Sequence, residues 1–180
     1  AAAAPIFALT PLLGYMGWFL GSLVHEMGHS AVAWFFGMPA FPAISLDGHA
    51  AAMHSDPSVI LALAVWAILG AAAWTWLRGR VRWAAIGVVA VLYPALAFTQ
   101  ARDVLHLLAG HGAELAFATL CLWKTLDGGF TESRVERGLY GMLGWYLLGS
   151  NVRLCFGLMT SDSSRQGYYD NGSFGLTNDM

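Results

Sequence analysis

The densest chemistry in the chain is the run His25-Glu26-Met27-Gly28-His29. Histidines four apart project from one face of a helix, about one turn from each other. At that spacing both imidazoles can bind one ion, and zinc favours such nitrogen donors. Glu26 stands beside them, where a carboxylate can take the proton of metal-bound water as a general base. The five residues therefore read as a hydrolytic zinc site acting on amide bonds, with Zn2+ as cofactor. A motif this short also arises by coincidence in soluble chains. Its setting argues against that here, because an apolar run from 8 to 36 encloses it. Ionisable groups in a bilayer are costly and are kept there for function.

A catalytic zinc needs a third protein ligand beside water. Depth offers a way to look for it. The motif lies roughly ten residues before the outer end of its span, at about 1.5 Å per residue. An apolar run that returns from the same side begins near 103 and reaches that depth close to residue 113. His111 and Glu114 stand there, three apart and on one helix face. Glu114 is the preferred ligand, with His111 as a co-ligand or as the group that orients one. The competing reading is a satisfied polar pair between helices. His106 and Asp103, nearer the outer surface, read as interfacial side chains or as the lining of a water path. His49, His54, Asp47 and Asp56 fall in the first loop and read as solvated polar residues rather than a loop metal site.

The elements that must position these groups are membrane helices. Of 180 residues, 57% are hydrophobic and 11% charged, with a mean hydropathy of +0.56. Soluble domains carry about 25% charged residues. A span needs about 20 apolar residues, and five runs qualify, at roughly 8–36, 58–77, 83–101, 103–125 and 138–160. The expected fold is an all-α bundle of about five transmembrane helices, residues 1–160, followed by a polar extramembrane tail, 161–180. The first run has no charged leader region and continues too far for a cleaved signal peptide.

Arg78, Arg80 and Arg82 fill the link between spans two and three, and Lys124, Arg134 and Arg137 flank that between spans four and five. Five spans put both links on one side, which the positive-inside rule makes cytoplasmic. The N-terminus is then inside and the tail outside. Trp74, Trp76, Trp83, Trp123 and Tyr140 fall near span ends, as interface anchors do. Gly14, Gly17, Gly21 and Gly28 share the first helix, and Gly17-x-x-x-Gly21 permits close packing.

Between spans one and two, Phe41 to Met53 forms two short runs joined at Asp47-Gly48, a favoured hairpin turn. Either a membrane-edge hairpin or an ordinary surface loop fits. Cys121 and Cys155 lie in apolar runs without zinc or redox spacing and read as buried thiols. A net charge of −2 leaves no basic face for nucleic acid.

His25-Glu26-Met27-Gly28-His29 in an early transmembrane helix resembles the site-2 protease family of intramembrane zinc metalloproteases. Glycine before the second histidine, as Gly28 stands here, is common in that family. The resemblance implies an endopeptidase whose partners are membrane-protein substrates within the bilayer, with a substrate-aligning strand after the first helix. It also implies a transmembrane Asp in a Leu-Asp-Gly motif as third ligand, which Leu126-Asp127-Gly128 matches. Depth and resemblance thus nominate different residues, for Asp127 lies roughly 20 Å deeper than the motif at the rise of a helix. The alternative function is a metal transporter or metal-binding membrane protein using the same histidines and carboxylates along a pathway.

Overall fold

A computed structural model describes residues 11–44, 50–127 and 133–170. Among these the chain forms six helices and one hairpin: α1 (Pro11–Phe35), β1 (Ala40–Ile44), β2 (Ala50–His54), α2 (Val59–Trp76), α3 (Gly79–Ala97), α4 (Ala101–Asp127), α5 (Arg134–Thr160) and α6 (Asp162–Asp170). Three helices, α2, α3 and α4, are long and apolar enough to cross a membrane. Helices α1 and α5 have the length, but His25, Glu26 and His29 in the first and Asn151 and Arg153 in the second make them more polar.

Helix α4 is the centre, packed on α1 along one side and on α5 along another. Both neighbours run antiparallel to it. His29 meets His106 and His25 meets Glu114, while Asn151 meets Glu114 and Thr125 meets Arg137 at the far end. Small residues permit the approach. A Cβ at Gly28 would lie 2.5 Å from the Ala113 Cβ and run into the Ala109 carbonyl. One at Gly144 would meet Leu122 Cγ at 2.9 Å. Gly21 faces Leu147.

Helix α1 ends in a Schellman turn. Gly37 takes φ +81°, its N–H bonds Trp34 O at 3.1 Å, and the Met38 N–H bonds Ala33 O at 2.8 Å. Positive φ favours glycine, and space demands it as well, since a Cβ there would be 2.7 Å from Ala62 N. The turn feeds β1, which pairs antiparallel with β2 from Ala40↔His54 to Ile44↔Ala50. Trp34 Nε1 donates to Ala40 O at 2.7 Å, tying the hairpin to the helix. The turn expected at Asp47-Gly48 lies outside the described residues.

Ser58 starts α2, its Oγ accepting the Leu61 N–H. Helices α2 and α3 pack on each other. Ala33, Phe36, Met38 and Ala40 form a buried cluster with Tyr93 and Ala97 of α3. The Tyr93 hydroxyl lies 2.8 Å from Phe35 O and 3.0 Å from Ala62 O, joining three helices at one point.

Some expected boundaries shift. Helix α3 begins at Gly79, so Arg80 and Arg82 lie in its first turn rather than in a link. Arginine can sit there because its long side chain reaches past the helix end: Arg82 Nε donates to Leu77 O and its guanidinium lies 4.7 Å from the Trp74 ring. The expected tail begins with a helix, α6, in which Asp162 pairs with Arg165. Cys121 is buried but Cys155 is exposed, because an apolar run does not distinguish the packed side of a helix from its outer side.

Candidate metal centre

Helices α1 and α4 supply four imidazoles in file. Ring centroids are 5.0 Å apart for His106 and His29, 4.8 Å for His29 and His25, and 4.7 Å for His25 and His111. His25 is the hub. Its Nε2 faces the His29 Nε2 at 3.1 Å, and its Nδ1 faces Glu114 Oε1 at 3.4 Å. The other oxygen, Oε2, lies 3.2 Å from His111 Nδ1 and accepts the Asn151 Nδ2–H at 2.7 Å. Donor atoms of His25, His111 and Glu114 all fall within 4.8 Å of one another.

Backbone shape makes room for this cluster. Gly110 faces His25, and a Cβ on it would sit 2.5 Å from the ring Cε1 and 2.6 Å from Cδ2. That Cβ would meet Nε2 about as closely as those two carbons, which puts the position over the ring face rather than along the in-plane Nε2 lone pair. His25 and Glu26 are buried.

Comparison with protein-family models, curated proteins and solved structures returned no match.

Hydrogen-bond bookkeeping then says what the cluster can hold. His29 Nδ1 lies 2.8 Å from the His106 carbonyl, which only accepts, so the proton is on Nδ1 and the lone pair on Nε2. A carboxylate also only accepts, so His111 presents Nδ1–H to Glu114 Oε2, while His25 Nδ1 lies against Oε1. The facing Nε2 atoms of His25 and His29 at 3.1 Å share either a proton or a metal ion. Nitrogens each about 2.0–2.1 Å from a tetrahedral zinc would be roughly 3.3 Å apart. The convergent group of His25, His111 and Glu114 could hold a metal ion.

Of the residues singled out by sequence, His25, His29, His111 and Glu114 come together. Asp127 does not: it ends α4 exposed, roughly 20 Å along the axis from Glu114 at the helical rise. Asp103 is exposed and pairs with Arg102 at 3.0 Å, and Asp56 is exposed. His49 and Asp47 lie outside the described residues.

His106, expected at the interface or along a water path, packs its ring on His29. His25 meets Gly110, His111 and Glu114, and Gly28 meets Ala109 and Ala113, within about one turn of the depth estimate. Helix α1 ends one residue earlier, and α4 begins two earlier, than the apolar runs suggest. Asn151 was not singled out by sequence. A buried amide in the middle of an apolar run is the same signal that marks Glu114.

Proposed function

We propose that the chain is a zinc-dependent intramembrane endopeptidase, similar to the site-2 proteases, that hydrolyses peptide bonds of membrane-embedded substrates. The observation that carries this reading is the His25–His29 pair, with Nε2 atoms facing at 3.1 Å beside buried Glu26. His25 and His29 would hold the ion, with a further donor from the His111–Glu114 pair. When bound, zinc polarises the scissile carbonyl and brings the pKa of water towards neutrality.

Glu26 supplies the proton traffic. Its carboxylate takes one proton from the attacking water, the water oxygen bonds to the carbonyl carbon, and the C–N bond breaks as Glu26 returns that proton to the leaving nitrogen. The products are a carboxylic acid and an amine, which at neutral pH ionise to a carboxylate and an ammonium ion. His29, held by the His106 carbonyl, keeps its donor nitrogen aimed through this cycle. A helical substrate hides its amides in its own hydrogen bonds. Extended binding along the β1–β2 hairpin, which packs on α1 just beyond the motif, would expose them.

We read α1 to α5 as five spans, N-terminus in the cytoplasm and C-terminal end on the opposite side. The exposed apolar surface of the helices supports a lipid setting, with Ile60 82% and Val91 73% exposed, since soluble monomers rarely show such continuous patches. Glu26→Gln should retain zinc and lower cleavage of a membrane-embedded reporter by about 10²- to 10⁴-fold. Full activity in that variant would remove Glu26 from its role.

The file of four imidazoles also suits a second reading, metal passage across the membrane. Zinc uptake into vesicles that is equal in wild type and Glu26→Gln, with no cleavage by either, would favour passage.

A further inference from the structure

His25 meets an acceptor on each edge of its ring. On one edge its Nε2 faces Nε2 of His29, which keeps a lone pair there because its Nδ1 proton goes to the His106 carbonyl. On the other edge its Nδ1 faces Glu114 Oε1, and His111 stands beside that carboxylate with Nδ1 3.2 Å from Oε2. A neutral imidazole carries one proton and one lone pair. The proton serves one edge, and the other edge then brings two acceptors together, which only a cation bridges. The two ring nitrogens point away from each other, so no single ion reaches both edges.

We propose that the cluster offers two positions for a divalent ion, one on each edge of His25, which are filled in turn and never together. The first is the His25–His29 edge of the hydrolytic reading given above, on which this inference rests. The second is formed by His25 Nδ1, Glu114 and His111. A donor from the His111–Glu114 pair reaches an ion at the first edge only by leaving this place.

The second position has the fuller donor set. Donor atoms of His25, His111 and Glu114 lie within 4.8 Å of one another. The gap from His25 Nδ1 to Glu114 Oε1 is 3.4 Å, longer than the roughly 2.7–2.9 Å of a charge-assisted hydrogen bond. It matches the ~3.4 Å between two ligands that each stand about 2.0–2.2 Å from a tetrahedral ion. His111 joins with its proton moved from Nδ1 to Nε2. Two imidazoles and a carboxylate suit a divalent transition metal such as zinc or iron(II). Buried Asn151 steadies the carboxylate from α5, donating to Oε2 at 2.7 Å. Exclusion follows from His25, the residue common to both positions. An ion on Nδ1 leaves the ring proton on Nε2, aimed at His29, and an ion on Nε2 leaves it on Nδ1, aimed at Glu114. An ion at the second position therefore leaves the hydrolytic edge empty, which makes that position a resting place.

The test is Co2+ binding by equilibrium dialysis on the full chain in detergent, with metal-edge X-ray absorption to count imidazoles and circular dichroism to check helix content. Wild type should bind one ion per chain. His29→Phe, which keeps a ring beside His106 but no donor, should still bind one, through the imidazoles of His25 and His111. Glu114→Leu should bind one through the His25–His29 edge. Combining the two should lose binding, as should His25→Phe alone. His29→Phe that binds no Co2+ overturns the second position, and Glu114→Leu that still binds then leaves the hydrolytic reading standing. Binding by His29→Phe but not by folded Glu114→Leu overturns the hydrolytic reading while the second position stands. Two ions in wild type overturn the exclusion. If the Glu114→Leu variants do not fold, His29→Phe decides alone, by two imidazoles or by none. Wild type that takes up no Co2+ overturns both readings, a second proton then filling the gap at His25.

Discussion

The α1–α4–α5 unit and the α2–α3 pair are made of similar helices, yet they pack by opposite means. In the first, glycines bring backbones together: Gly28 against Ala109 and Ala113, Gly144 against Ala118 and Leu122, Gly110 against the His25 ring. Polar side chains are buried there, and His25 and Asn151 both meet Glu114 of α4. In the second, a Cβ at Gly70 or Gly87 would meet nothing within 4 Å, and most large apolar side chains face outward. Directional bonds fasten that pair locally, Tyr93 to Phe35 and Ala62, and Trp66 Nε1 to Val89 O at 3.0 Å. Burying ionisable groups takes close-packed helices that satisfy every polar atom. A helical hairpin with no buried chemistry has no such need.

The contrast predicts that substitutions in the first unit change metal binding, while those in the second change stability alone. The largest effect is expected from Gly110→Ala, whose methyl would displace the His25 ring. Zinc content after equilibrium dialysis should show affinity down at least ~100-fold, beyond what loss of an orienting partner alone costs. Unchanged affinity would break the comparison at its centre. Next is Gly28→Leu, which overpacks the α1–α4 contact. It should cost about 1–3 kcal/mol in thermal or denaturant unfolding, with metal binding weakened as well. The smallest is Tyr93→Phe, which takes the hydroxyl from two buried carbonyls. It should cost about 1 kcal/mol and leave zinc affinity at the wild-type value. A drop in affinity there would show that the two regions are coupled.

Much of this was legible in the residues themselves. Apolar run lengths mark all five long helices to within a few residues. Where they miss, as at Gly79, the cause is arginine at a helix start, which a hydropathy reading assigns to a loop. Short runs around an Asp-Gly pair point to the hairpin, though register depends on pairing that such runs do not specify. Helical rise alone brings His111 and Glu114 to the level of His25. It gives depth, however, and not rotation about the axis. Rotation follows from packing, here from Gly28 and Gly110, which turn α1 and α4 so that His106 stacks on His29 and Glu114 meets Asn151. The Leu126-Asp127-Gly128 triplet shows the reverse case, in which three letters match a pattern and helix length puts the carboxylate far from the histidines.

The antiparallel meeting of α1 and α4 has a consequence in time. The residues of the candidate centre stand at 25, 29, 111 and 114, so a chain made from its N-terminus presents the first two well before the last two. At about 5–20 residues per second, the interval is on the order of 5 to 15 seconds. Throughout it the histidines of α1 have no α4 to meet, and no complete ion cradle exists. The proposed hydrolysis would therefore be withheld during synthesis and begin only when the fourth long helix joins the bundle.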